Sequence, residues 1–118
     1  MKRKSNDVAK LNDSKKILNN TFMLIDNNFS SEITLEKAAK ASNLSIPHFC
    51  RLFKSSTGMT FTEYLLLYRI NRAEDMLRSG LTITEIASEC GFNSLASFSR
   101  AFKKLRNLSP TEFRKKYL

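Results

Sequence analysis

Apolar side chains recur three and four positions apart along most of this chain, and short polar clusters separate the runs into helices with recognisable starts and stops. In the first run Ile17, Leu18, Phe22, Leu24, Ile25 and Phe29 fall mainly on one face. They predict a helix that opens near Asp13 or Ser14 and ends about Asn27 and Asn28. Thr34 then caps a short helix, Leu35 to Ala41, with Glu36 in the first turn, where the helix dipole favours an acid. Ser42-Asn43-Leu44 reads as a three-residue turn. Ser45 caps the next helix, and Pro47 sits in its first turn, where a missing N–H costs nothing. Phe49, Leu52 and Phe53 make its inward stripe, and Gly58 ends it as a left-handed C-cap.

A long middle helix begins with the capping box Thr60-Phe61-Thr62-Glu63 and is expected to run to Ser79-Gly80. Phe61, Tyr64, Leu65, Leu66, Leu67, Tyr68, Ile70, Ala73, Met76 and Leu77 cover more than one of its faces, so it should be contacted on two sides. Thr82-Ile83-Thr84-Glu85 is a second capping box, Cys90-Gly91-Phe92 a turn with Gly91 at positive φ, and Asn93 or Ser94 the cap of a helix to Leu105. Phe98, Ala101, Phe102 and Leu105 face inward there. Ser109-Pro110-Thr111-Glu112 opens the last helix.

This pattern is written twice. Leu35, Ala38, Ala39 and Leu44 lie 48 positions before Ile83, Ile86, Ala87 and Phe92. After one dropped residue the offset becomes 49, and Phe49, Arg51, Phe53 and Lys54 match Phe98, Arg100, Phe102 and Lys103. Asn107 stands where the first copy has Gly58, a position that asparagine tolerates best after glycine. A short helix, a tight turn and a second helix, repeated, is the helix-turn-helix pattern. The expected fold is all-α: two helix-turn-helix subdomains (13–58 and 81–118) joined by a linker helix (59–80), about seven helices, after a disordered basic leader, residues 1–12.

Composition sharpens the picture. The 118 residues suit one compact unit or two small subdomains, 42% apolar residues support a core, and three glycines with two prolines argue against a loop-rich β fold. The net charge of +9 points to a polyanion, either nucleic acid or an anionic membrane surface. No apolar run reaches the ~20 residues of a membrane span. Met1 to Lys16 lacks the apolar core of a signal peptide, and two cysteines forty residues apart make no metal pattern. Reduced thiols in a cytoplasm are the simplest reading.

The charge is also segregated. Glu85 and Glu89 lie on the first helix of the second motif, whereas its second helix carries Arg100, Lys103, Lys104 and Arg106 without an acid. The second helix of the first motif carries Arg51 and Lys54, also without an acid. An acid-free basic helix placed second in a helix-turn-helix is what insertion into a major groove requires. Adjacent major grooves on one face of DNA lie ~34 Å apart, and a helix of about 20 residues spans ~30 Å. One chain can thus carry two reading helices without dimerising.

The residues resemble the DNA-binding domain of AraC/XylS-type transcription regulators. The resemblance runs from Ile17 to Tyr117. It rests most firmly on Ile83-Thr84-Glu85-Ile86-Ala87, Gly91-Phe92, Phe98-Ser99-Arg100-Ala101-Phe102-Lys103-Lys104 and Ser109-Pro110-Thr111-Glu112-Phe113-Arg114. Leu44 to Phe49, Arg51-Leu52-Phe53-Lys54, Thr57-Gly58 and Arg69-Ile70-Asn71-Arg72-Ala73 fit as well. The resemblance implies seven helices, binding of double-stranded promoter DNA to regulate transcription, and contact with RNA polymerase in members that activate. The chain has no room for an effector-binding domain, and two readings stay open: a stand-alone short regulator controlled by its abundance, or the C-terminal part of a longer sensor or response regulator, since the resemblance implies that this domain usually comes last. On either, the chain is expected to be a monomeric DNA-binding unit without a dimerisation or effector domain of its own.

The candidate DNA contacts are Ser45, Ile46, Pro47, Cys50, Arg51 and Lys54 on one helix, with Ser94, Leu95, Ala96, Ser99, Arg100 and Lys103 on the other. Arg51 and Arg100 are the expected base readers, because arginine pairing to a guanine edge is the commonest specific contact. Each can instead bind a phosphate. Ile46, Pro47, Cys50, Leu95 and Ala96 can only pack on thymine methyls or sugars, and Ser99 can bond base or phosphate. Lys54, Lys103, Lys104, Arg106, Arg114, Lys115 and Lys116 are expected at phosphates or in solvent. His48 is expected to be packed or capping. No second histidine, Gly-rich phosphate loop or set nucleophile is present, so no enzyme activity, metal or cofactor is expected. Two other function classes remain: a protein-interaction module acting mainly through RNA polymerase or a partner regulator, and a non-specific binder of polyanions or anionic lipid.

Overall fold

The computed structural model describes residues 13–118, so the basic leader lies outside the described residues. Among them every regular element is helical. Residues 13–17 are helical, a turn falls at Leu18, and seven helices follow. These are α1 (Asn19–Asn28), α2 (Leu35–Ala41), α3 (Ile46–Thr57), α4 (Phe61–Met76), α5 (Ile83–Glu89), α6 (Leu95–Arg106) and α7 (Pro110–Tyr117).

Local chemistry sets the helix starts. The Thr34 and Ser94 hydroxyls accept from the amides of Lys37 and Ser97, both at 3.1 Å. Thr60 with Glu63, Thr82 with Glu85 and Ser109 with Glu112 exchange hydrogen bonds as reciprocal boxes. The stops are equally local: Gly58 and Asn107 close α3 and α6 in the left-handed region, at φ 79° and 65°. The two interhelical turns use the same region, through Asn43 at φ 56° and Gly91 at φ 86°. Asn43 lies 48 positions before Gly91, so the backbone repeats even where the residue does not.

The chain divides into two compact units. The first holds residues 13–28 and Ile33–Tyr64. Its buried core comprises Leu18, Ile25, Ile33, Ala38, Ala39, Phe49, Phe53 and Phe61. Phe53 meets Phe22, Phe61 and Tyr64 with ring centroids 5.2–5.8 Å apart, separations at which edge-to-face and tilted aromatic pairs add to simple burial. One expected core residue is not there: Ile17 is exposed. Thr21 is buried in its stead, with its hydroxyl donating to the Ala38 carbonyl at 2.7 Å and meeting Ser42 Oγ at 2.6 Å. Leu18, Thr21 and Ile25 share one helical face, unbroken by the turn since the Phe22 amide still bonds Leu18 O at 3.1 Å, so Ile17 falls off that face. The paired hydroxyls remove the cost of burying Thr21.

The second unit holds Phe29–Glu32 and Leu65–Leu118. Ile70, Ala73 and Leu77 from α4 and its end pack with Ile86, Ala87 and Cys90 around Phe98 and Phe102. Here α4 stops short of expectation. Its last regular residue is Met76, giving 16 residues, or ~24 Å at 1.5 Å per residue. Beyond it the ladder tightens. The Arg78 amide donates to Asp75 O at 3.3 Å, the Ser79 amide to Met76 O at 2.9 Å, and the Ser79 hydroxyl to the same carbonyl at 2.6 Å. The released carbonyls are taken by Arg114 on α7, which donates to Leu77 O at 3.0 Å and Leu81 O at 2.8 Å. Without such partners a helix end leaves unsatisfied acceptors.

Candidate nucleic-acid interface

In the first unit, Phe49 and Phe53 lock α3 by one face, which turns the other outward. Ser45, Ile46, Pro47, Arg51 and Lys54 are exposed on it, Ile46 by 37%, while Cys50 is half-buried. In the second unit, Phe98 and Phe102 lock α6 in the same way. Ser94, Leu95, Ala96, Arg100 and Lys103 are exposed, Leu95 by 44%, and Ser99 is half-buried. The structure therefore gathers the candidate residues into two outward strips, one on each second helix. His48 does not pack: its side chain is exposed, and its backbone amide donates to the capping Ser45 hydroxyl at 3.4 Å.

The arginines sort into two kinds. Arg51 and Arg100 have no hydrogen-bond or ion-pair partner among the described residues. Arg106, expected at a phosphate or in solvent, instead turns back to α4, where it pairs with Glu74 at 3.0 Å and bonds Asn71. Arg114 is consumed by the carbonyls after α4, as above. Arg69 donates to Phe29 O at 2.8 Å and Ser31 O at 2.9 Å, and burial lowers its pKa. Arg72 lies over the Phe29 ring, 5.4 Å from its centroid. A guanidinium already spent on the fold has few donors left for a ligand, whereas Arg51 and Arg100 on the outward strips, and exposed Arg78 after α4, keep theirs available.

The lysines of the strips are also distinguishable. Lys54 Nζ lies 4.0 Å from Glu63, an exposed pair that solvent and salt weaken. Lys103 sits near enough to Glu112 to help hold its carboxyl below the ordinary range, after the larger effects of the hydrogen bonds to Ser109. Neither lysine is buried. Among the described residues no cluster of His, Cys, Asp and Glu is placed to hold a metal ion, and no helix is long and apolar enough to cross a membrane.

One surface was not singled out from sequence. An open groove runs beside the start of α3, lined by Glu36, Lys37, Lys40, Asn43, Leu44 and Ile46 among others. Its signal was present as the three-residue spacing of Lys37, Lys40 and Asn43, which sets all three along α2 and its turn.

Comparison with known proteins gives a consistent result. A family profile described as a helix-turn-helix domain matches residues 38–116. The Msm operon regulatory protein of Streptococcus mutans is 33% identical over 103 residues, covering 86% of this chain and 37% of that protein. A crystal structure of a transcriptional regulator from Chromobacterium violaceum, described with AraC-type DNA-binding domain-containing proteins, has a TM-score of 0.79. It is 28% identical and covers 89% of this chain and 97% of that one. The DNA-binding domain of AdpA, solved in complex with a target DNA, has a TM-score of 0.80 at 24% identity, over 86% of this chain and 91% of its own, a likeness of fold. The matched region makes up less than half the length of these curated relatives.

Proposed function

We propose, from the premise that this chain belongs to the AraC/XylS-type helix-turn-helix family, that it regulates transcription by sequence-specific binding of double-stranded promoter DNA, with α3 and α6 as its reading helices. The observation that carries the reading is the pair Arg51 and Arg100. They occupy the same repeat position, on acid-free helices, exposed and without partners among the described residues. Their planar forks match the O6/N7 edge of guanine. Ile46, Pro47, Cys50, Leu95 and Ala96 supply the apolar contacts to thymine methyls or sugars. Ser45, Ser94 and Ser99 offer hydroxyls, and Lys54 and Lys103 bind phosphate.

The two helices divide this work unequally. Arg100 is the single strong reader on α6, whose Lys103 and Lys104 act as a backbone clamp. Arg51 on α3 contributes at least as much discrimination. Contact with RNA polymerase at the promoter and a cytoplasmic location belong to the same reading, which involves no catalytic step. Selection of bound duplexes from a random pool tests it. The expected outcome is a site with two preferred segments, and equal recovery of every duplex sinks it. A polymerase pull-down that persists without promoter DNA in Arg51→Ala/Arg100→Ala would favour a protein-interaction module instead.

A further inference from the structure

The two motifs differ most on the helix that precedes the reading helix. Lys37, Lys40 and Asn43 of the first copy stand in register with Glu85, Ser88 and Gly91 of the second, 48 positions later. In the first copy these residues line an open groove that also includes Leu44, Ser45 and Ile46, and the last two already belong to the outward strip of α3. The groove is therefore continuous with that strip. Its one carboxylate, Glu36, lies in the first turn of α2, a full turn before Lys40. The Lys40 ammonium makes no ion pair among the described residues, and its side chain is exposed. Asn43 is exposed in a left-handed turn at φ 56° and lines the same groove.

We infer that Lys40 and Asn43, assisted by Lys37, form a phosphate-binding subsite for the DNA backbone flanking the segment read by α3, a subsite the second motif lacks. The inference rests on the DNA-binding reading above and adds an affinity-setting element to it. The argument is one of complementary charge and position. A duplex that presents bases to Arg51 carries its phosphate rail along the edge of the same strip, and there two ammonium groups and an amide line a groove open to solvent. The second motif makes a different choice. Its bases lie on the reading helix itself, at Lys103 and Lys104, and its first helix carries Glu85 and Glu89. The first copy, with fewer bases on α3, adds to the Lys54 contact further phosphate contacts from α2 and the turn.

Salt dependence tests this directly, because each phosphate contact contributes about 0.9 to the slope of log K against log salt. Lys40→Ala keeps helix propensity at α2, and Asn43→Gly suits a positive φ, so both variants should stay folded. On duplexes selected by the wild-type chain, Lys40→Ala should flatten the slope by about 0.9. Between 0.05 and 0.2 M salt it should then lose about 3.5-fold less affinity than wild type, with base preference unchanged. Lys16→Ala, an exposed control away from the groove, should leave the slope unaltered. An unchanged slope in Lys40→Ala and in Lys40→Ala/Asn43→Gly overturns the subsite. Wild-type failure to prefer any duplex would instead overturn the underlying DNA reading, so the two failures are distinguishable.

Discussion

The Arg114 guanidinium donates to the carbonyl oxygen of Leu77 at 3.0 Å, across 37 residues of sequence. It also reaches Ser79 O and Leu81 O. Arg69 makes the same grip on Phe29 O and Ser31 O, and these carbonyls lie 48 positions before Leu77 and Ser79. The repeat thus preserves the acceptors at the end of each leading helix. It does not preserve the donor: at the 49-residue offset, Arg114 matches Leu65, and Arg69 stands one helical turn later. Arg114→Ala should lower unfolding free energy by about 2 kcal/mol, the cost of stranding partly buried carbonyls that had charged donors. Arg114→Lys should recover less than half, since an ammonium cannot fork between them. Urea denaturation of both variants measures the difference.

Gly91 and Gly58 share a left-handed backbone but not a neighbourhood. A Cβ on Gly91 would sit 2.8 Å from Phe29 O and 3.1 Å from Arg69 Nε, whereas one on Gly58 would meet nothing within 4 Å. Gly58→Ala should therefore cost only the conformational term, about 1–2 kcal/mol. Gly91→Ala should cost that plus the displacement of the Arg69 grip, a total of about 3 kcal/mol or more. Equal thermal shifts for the two variants would show that the Arg69 contact yields freely.

On DNA, the outward strips predict two kinds of mutant. Arg51→Ala should relax preference at one base position by about 1–3 kcal/mol while other positions keep theirs. Lys103→Ala should weaken binding to all sequences alike and reduce the salt slope by about 0.9. Competition binding against single-base variants of a selected site separates these outcomes. Loss of preference in Lys103→Ala, or its retention in Arg51→Ala, would reverse the assignment.

The two cysteines should react very differently. Cys90 is fully buried, its Sγ 3.7 Å from Met76 Sδ, and burial pushes its thiol up from 9.0 to about 11, Arg72 pulling weakly the other way. A neutral thiol reagent at pH 8 should therefore label half-buried Cys50 first and Cys90 only on unfolding. The sign for stability follows from linkage. With the folded pKa above the unfolded one, the contribution is complete below pH 9 and is lost as pH rises toward 11. Cys90→Ala should show a smaller fall in stability across that window than wild type.

The sequence by itself determined what is settled within a few residues. Thr34, Thr60, Thr82 and Ser109 could be read as caps because a hydroxyl and an amide three positions apart meet wherever a helix begins. The inward stripes of Phe49 and Phe53, and of Phe98 and Phe102, follow from helical period alone, and with them the opposite strips that carry Arg51 and Arg100. Tertiary structure decided the rest. Ile17 is exposed and Thr21 buried because the face that packs runs through Leu18, Thr21 and Ile25, and a hydroxyl partner from Ser42 makes burial of Thr21 inexpensive. The carbonyls of Leu77 and Leu81, which follow the end of α4 at Met76, find their donor in Arg114, distant in sequence. Arg106 looked as available as Arg100, and only the approach of Glu74 and Asn71 turned it inward. A basic side chain bears the same charge in either role. What separates a DNA contact from a structural brace is whether the fold brings an acceptor within about 3 Å of it, and that distance is set by packing between segments far apart in the chain.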